Sequence, residues 1–318
     1  MKKTMLGNTG LEVTVAGFGV LPIGPSQLKL PVEEGAEIIR YALDKGINFM
    51  DTAQYYRTYP YISKALECGK YDDVIICSKS LCEDYDGMMD AIYEARRDLN
   101  REKIDIFLMH EVRSGQFEER KGAWQALVDA KAQGLVRSIG LSTHHVDTTM
   151  AAADMEELDV VFPLINYMGL GIRKGEEFAT KEEMMAAIKK CHDAGKGVFS
   201  MKAFGGGSLT ANYQQALDYV FEKDEIDSVM IGFGKKSDVD DIFAYLDGTM
   251  PKDYNPDVSK KKVYVNQEDC EGCGACKRAC PAGAIFYNEE GLAEVDHEKC
   301  LTCGYCSPVC PVRAVIMY

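Results

Sequence analysis

No stretch of the 318-residue chain is apolar for long enough to cross a bilayer, which argues against a membrane-spanning role. The N-terminus, MKKTMLGNTGLEV, lacks the apolar centre of a signal peptide, so export is not expected. Basic residues are in deficit: 36 Lys and Arg stand against 50 Asp and Glu, a net charge of −14. A surface of that sign repels nucleic acid and anionic lipid, and neither nucleic acid nor membrane is expected as a partner. Apolar residues make up 46% of the chain and charged residues 27%, ordinary for a soluble globular protein. The length suits one large domain and one small one.

Cysteine is sparse through most of the chain and dense at its end. Cys68, Cys77, Cys82 and Cys191 are scattered and read as buried or incidental. The other eight form two runs. Cys270, Cys273, Cys276 and Cys280 precede Pro281, and Cys300, Cys303, Cys306 and Cys310 precede Pro311. Each run reads C-x2-C-x2-C-x3-C-P, the spacing by which bacterial ferredoxins hold 4Fe-4S cubes. Three close thiolates wrap one cube and the fourth reaches the other. The resemblance therefore assigns Cys270, Cys273, Cys276 and Cys310 to one cluster, and Cys300, Cys303, Cys306 and Cys280 to the second. A zinc site would need only four cysteines, and a disulfide framework an oxidising compartment. Neither explains a duplicated run with proline after each fourth cysteine. Thiolate clusters without an export signal imply a cytoplasmic protein. Each half reads as strand, cysteine loop, short helix and strand (VYVNQEDC…AIFYN and AEVDHEKC…AVIMY), a small α+β ferredoxin-like domain that needs its clusters to fold. His297 reads as a surface residue.

Upstream, strand and helix patterns alternate. Strands are predicted at 15–20, 47–52, 74–79, 104–110, 136–142, 160–166, 197–202 and 228–233. Helices are predicted over Val32–Lys45, Pro60–Gly69, Gly87–Asn100, Glu118–Gln133, Val146–Met155, Lys181–Ala194, Tyr213–Lys223 and Ser237–Leu246. The strands are apolar nearly throughout, as in a parallel sheet covered on both faces. Eight even units favour an α/β fold of the (β/α)8 TIM-barrel type over an open doubly wound sheet. Thr4–Thr14 reads as a hairpin, turning at Gly7-Asn8 or Thr9-Gly10, that plugs the barrel's bottom. The domains expected are a barrel over 1–250, a linker over 251–262 and the cluster module over 263–318.

Chemistry on such barrels sits at the C-terminal strand ends. Strand 2 ends in Asp51, with Tyr55 and Tyr56 just beyond; strand 3 carries Lys79; strand 4 ends in His110 and Glu111. This set suits proton transfer to a carbonyl oxygen. A lysine ammonium is expected to lower the tyrosine pKa, an aspartate to orient the lysine, and a histidine to hydrogen-bond the developing alkoxide. The motif GINFMDTAQYY, with ICSKS and FLMH, resembles the aldo-keto reductases, as does the opening MLGNTGLEV. The resemblance covers roughly residues 1–250. It implies a catalytic tetrad of Asp51, Tyr56, Lys79 and His110, the spacing selecting Tyr56 over Tyr55.

The resemblance also implies NADP or NAD across the barrel top. Ser142 and Asn166 would be polar contacts, with Met201 where an aromatic usually stacks. Lys202, Phe204, Gly205 and Gly206 would follow strand 7, where glycine N–H groups meet a pyrophosphate. Gly232, Lys235, Ser237 and Asp241 would follow strand 8, while Asp238 replaces an arginine that grips a 2′-phosphate. FMN in the same loops is the alternative, because a nicotinamide moves electron pairs and each cube moves one. Three readings stand open. One is a nicotinamide-dependent carbonyl reductase, or alcohol dehydrogenase, coupled to iron-sulfur electron transfer. Another is a flavin- or cluster-fed reductase without nicotinamide. The last is a non-catalytic redox-sensing or docking protein. The expected partners are a small-molecule carbonyl substrate and a one-electron redox protein.

Overall fold

The computed structural model describes residues 1–71, 73–256, 262–302, 304–307, 309–312 and 314–317. Cys303 and linker residues 257–261 lie outside the described residues. No helix among the described residues is long and apolar enough to cross a membrane.

The chain opens with a hairpin of β1 (Lys3–Met5) and β2 (Glu12–Thr14), paired antiparallel from Lys3 opposite Thr14. Leu6 and Leu11 close its turn through a 2.9 Å backbone bond, with Gly7 and Gly10 both at positive φ. The barrel strands follow: β3 (Ala16–Gly19), β4 (Phe49–Asp51), β5 (Ile75–Ser80), β6 (Ile104–Met109), β7 (Val136–Thr143) and β8 (Val160–Pro163). A two-residue ribbon, β9 (Arg173–Lys174) with β10 (Glu177–Phe178), decorates the loop after β8; the sequence pattern does not announce it. β11 (Gly197–Ser200) and β12 (Ser228–Gly232) close the barrel in the order β11-β12-β3-β4-β5-β6-β7-β8, all pairs parallel.

Helices α1 (Val32–Asp44), α2 (Tyr59–Leu66), α3 (Tyr85–Asp98), α4 (Lys121–Ala132), α5 (Val146–Ala152), α6 (Lys181–Asp193), α7 (Tyr213–Phe221) and α8 (Lys236–Leu246) cover the outside. Each expected barrel strand and helix is present, with ends shifted by a few residues. Strand side chains alternate inward and outward. The outward set packs on the helices as the main core, and the inward set forms a second. In that inner core Phe162 stacks on Phe199 at 4.3 Å. Leu6, Leu11 and Val13 of the hairpin join it from below, so the plug shuts one end and leaves the other for chemistry.

The C-terminal module has four short strands: β13 (Val263–Val265), β14 (Ile285–Tyr287), β15 (Ala293–Val295) and β16 (Val315–Met317), plus the helix α9 (Ala275–Ala279). First pairs with last and the two middle strands pair together, as a duplicated sequence folding about a pseudo-twofold requires. Its second half forms no helix among the described residues. The linker start is not free: Tyr254 packs edge-on against Tyr213 at 5.6 Å, and its hydroxyl is bonded to Asp241.

Candidate active site

The four tetrad residues meet at the open mouth. β4 delivers Asp51, then a short turn (Gln54–Tyr56) swings Tyr56 inward and Arg57 ends it in the left-handed region, φ 55°. Lys79 of β5 donates to Asp51 Oδ1 at 2.6 Å and to the Thr52 carbonyl at 2.7 Å. Both members of this ion pair are buried, so removing either leaves a stranded charge, at a cost of about 3–5 kcal/mol. His110 follows β6, and its Nε2 lies 3.5 Å from the Tyr56 hydroxyl. The Lys79 ammonium stands 4.8 Å from the centre of the Tyr56 ring. Tyr55 stacks on His110 at 5.0 Å and meets Tyr56 edge-on at 4.8 Å.

The sequence leads one to expect a lowered Tyr56 pKa, but the net shift is upward: burial pushes that phenol well above its ordinary range, and Tyr55 and Asp51 add to the shift. Burial outweighs the nearby Lys79 ammonium, which is bonded to Asp51 and the Thr52 carbonyl, so Tyr56 keeps its proton as an acid. Burial holds His110 well below the usual imidazole range, with Lys79, Arg120 and Lys202 adding to it, so the ring is neutral. Its Nδ1 is buried without a hydrogen-bond partner among the described residues.

Sequence reasoning passed over several residues here. Arg120, at the start of α4, donates to the carbonyls of His110 (2.8 Å) and Ser80 (3.2 Å), clamping the ends of β6 and β5 together. Glu111 takes φ 46°, and its N–H donates to Ser142 Oγ at 2.9 Å. The module lies across this same mouth. Asn266 Nδ2 reaches the Tyr55 hydroxyl at 3.4 Å and Asp269 Oδ2 at 2.8 Å, and Arg113 pairs with Glu271 at 2.6 Å. No local motif signals the Asn266–Tyr55 and Arg113–Glu271 contacts, because both join segments far apart in sequence.

Glu111 is pushed up to about 7, first by burial and then by Asp269. A carboxyl with a raised folded pKa stabilises the fold while protonated. That stability is present below the unfolded value and is lost as pH rises through about 7. Glu111→Gln should therefore raise the melting temperature near pH 8 and change it little near pH 4, in melting curves run across that range.

The positions expected to hold a dinucleotide are engaged within the chain. Ser142 Oγ accepts the Glu111 N–H, and the Asn166 amide closes on Leu170 N and O at 2.9 and 3.0 Å. Met201 packs on both barrel cores, and Phe204 stacks on Tyr213 at 4.6 Å. Lys202 holds a left-handed φ of 60°. Gly205 and Gly207 donate their N–H groups back into the turn at 2.7 and 2.9 Å, and Met317 N donates to Gly206 O at 2.8 Å. Gly207, at φ +86°, has no room for a side chain: a Cβ there would lie 1.9 Å from the Met317 carbonyl. After β12, Gly234 and Lys235 donate their N–H groups to Asp238 Oδ2, at 2.9 and 3.1 Å. Lys235 and Ser237 are exposed beside it, and a Gly232 Cβ would meet Pro22 at 2.7 Å. The chain's own strand β16 thus lies against Gly206 and Gly207, where a pyrophosphate was expected, while Lys235 and Ser237 stay exposed.

The cysteines do fit cubes. Every described cysteine is a free thiol. Cys276 is buried, and Cys310, Cys270 and Cys273 act on it electrostatically, behind burial itself. Burial pushes Cys306 up to about 12, with Cys276, Cys300 and Cys280 as its thiol neighbours. A largely apolar cavity is lined by Cys280, Cys300 and Cys306. Backbone N–H groups of Ala293, Ala284 and Thr302 point at Cys270, Cys280 and Cys300 sulfurs at 3.4, 3.3 and 3.4 Å, as suits thiolates.

A closed barrel thus gathers Asp, Tyr, Lys and His at its mouth and is joined to paired cysteine runs. The aldo/keto reductase family model matches residues 17–228, and a 4Fe-4S dicluster domain matches residues 262–317. The chain belongs to the aldo/keto reductase family. It is 26% identical over 219 residues to L-galactose dehydrogenase of Arabidopsis thaliana, covering 64% of this chain and 66% of that one. It is 26% identical over 180 residues to methylglyoxal reductase of Yersinia pestis, covering 54% and 63%. The chain thus spans slightly less than two thirds of each relative's length. A putative aldo-keto reductase structure from Pseudomonas aeruginosa shares the fold at a TM-score of 0.65 and 20% identity, over 78% of this chain and 95% of that one. An aldo-keto reductase from Bacillus halodurans does so at 0.61 and 20%, over 80% and 92%.

Proposed function

We propose that the barrel reduces a carbonyl group, or oxidises the matching alcohol, and that the module exchanges single electrons with that site. The observation that carries this reading is the Tyr56–His110 pair, 3.5 Å apart, with the module bonded across the same mouth through Tyr55 and Arg113. A carbonyl oxygen seated between phenol and imidazole takes a hydrogen bond from each, with the imidazole proton on Nε2. Tyr56 gives up its proton as negative charge grows on that oxygen. The positive end of the Lys79–Asp51 pair, under the Tyr56 ring, favours the phenolate left behind. The ligands are assigned as Cys270, Cys273, Cys276 and Cys310 for one cluster, and Cys300, Cys303, Cys306 and Cys280 for the other. The clusters, when bound, would supply or accept electrons one at a time, so reduction to the alcohol takes one electron from each cluster and two protons, one from Tyr56 onto oxygen and one from solvent onto carbon.

Family membership favours a second reading, in which NADPH or NADH supplies the reducing equivalents. In that reading the Gly206–Gly207 turn, packed against β16, would have to open for a pyrophosphate, while Lys235 and Ser237 are already exposed. One anaerobic preparation separates the readings. Protein with reduced clusters is given a panel led by methylglyoxal, and the same panel is run with NADPH and with NADH. Product formed from the reduced clusters alone supports the first reading. Turnover only with a nicotinamide supports the second, and a visible flavin spectrum would supply the missing two-to-one-electron converter. No reaction in any arm, with L-galactose also inert as a donor, would sink the assignment.

A further inference from the structure

The module's two halves repeat with an offset of thirty residues, Cys270 to Cys300. This places Glu271 opposite Leu301, Ala275 opposite Tyr305 and Ala279 opposite Val309. The first half turns its loop to the barrel mouth, where Glu271 pairs with Arg113 and Asn266 reaches Tyr55. The second half carries large apolar residues at the matching positions, and all three face solvent: Leu301 is 68% exposed, Tyr305 64% and Val309 39%. Leu301 also lines the cavity bounded by Cys280, Cys300 and Cys306. The patch therefore abuts one cluster site, while the other cluster's loop faces the barrel.

We propose that Leu301, Tyr305 and Val309 form the docking face for a one-electron carrier protein with an apolar centre and a basic rim. The inference rests on the one-electron reading above. It makes the cluster of Cys300, Cys303, Cys306 and Cys280 the outer port, and the cluster of Cys270, Cys273, Cys276 and Cys310 the one next to Tyr55. Large exposed apolar residues grouped on one loop mark an interaction surface. Charge selects the partner. The chain carries −14 overall; Glu294 and Glu298 are exposed on the approach to this loop, and Lys299 is held by Asp296 at 2.7 Å. An acidic surround steers a basic carrier and repels an acidic one. Each encounter moves one electron between the carrier and the cluster, inward from a reduced carrier when a carbonyl is reduced and outward to an oxidised one when an alcohol is oxidised, with no bond made or broken and no proton transferred.

The probe is mitochondrial cytochrome c, a basic one-electron carrier. Its redox-inert zinc-porphyrin form is titrated by calorimetry into the cluster-loaded protein, so that binding is read without turnover. Binding should weaken as salt rises. The double variant Leu301→Ser/Tyr305→Ser should weaken it about tenfold or more. Phe178→Ser, at an exposed apolar residue of the barrel ribbon, should leave it unchanged. Iron content and the reduced-cluster spin resonance signal should be the same in all three proteins. With ferric cytochrome c, the double variant should slow heme reduction by a similar factor. Equal binding and equal reduction in the double variant would overturn the port while leaving one-electron chemistry standing. Reduced wild-type clusters that never reduce ferric heme would overturn both. Wild-type self-association that the double variant abolishes would make a second copy the occupant, and would also overturn it.

Discussion

Stripping iron from the protein should unfold the C-terminal module and leave the barrel folded. The module's core is small: Val263, Val265, Ile285, Ala293, Val295, Val315 and Met317, packed around Cys276, Cys306 and Cys310. Its four strands are three residues each, and they pair only two by two. So little apolar burial does not offset the entropy of ordering some fifty residues, and ligand binding must supply the difference. The barrel has two cores of its own, built from side chains far from the cysteine runs. Calorimetry of the loaded protein should show a transition that chelation removes, with the barrel transition retained. Cys276→Ser should lose about half the iron and weaken the module transition, since that thiol is buried and surrounded by its three partners. A chelated protein that melts like the loaded one would show that the module folds without clusters.

Tyr56→Phe should lower carbonyl turnover by about 10²–10⁴-fold, the usual worth of a positioned proton donor. The phenol lies 3.5 Å from His110, and burial keeps it protonated through the neutral range. Phenylalanine preserves the edge contact with Tyr55 and the Lys79 cation over the ring, so folding and iron content should hold. The loss belongs mainly in kcat, because the proton moves in the transition state. Steady-state rates on the same carbonyl panel measure it. Since His110 is neutral and Tyr56 protonated well to either side of neutrality, neither should impose a fall in reduction rate between about pH 7 and 9.

The barrel was legible because its strands and helices are local patterns, and every unit from β3 to α8 follows its own periodicity. The tetrad was legible because each member sits at a strand end that topology brings to one mouth. The sign of the Tyr56 shift was not, because it depends on how deeply Tyr55 and the neighbouring elements bury the phenol. For Gly205 and Gly206 after β11 the resemblance implies pyrophosphate contacts, but the turn they belong to is partly covered. Its neighbour is β16, more than a hundred residues away, which no spacing rule reveals. Asn266 and Asp269 looked like ordinary residues before a cysteine run. Their importance comes from where the module rests, against Tyr55 and Glu111.

The central claim is that electrons held by the module reach a carbonyl at Tyr56. Anaerobic stopped-flow mixing of cluster-reduced, nicotinamide-free protein with a carbonyl substrate tests it directly, following the return of the oxidised-cluster absorbance. Wild-type clusters should reoxidise in step with alcohol formation, and Tyr56→Phe should slow that return by the same factor as turnover. Clusters that stay reduced in the presence of the carbonyl, or that reoxidise equally fast without the Tyr56 hydroxyl, would contradict it.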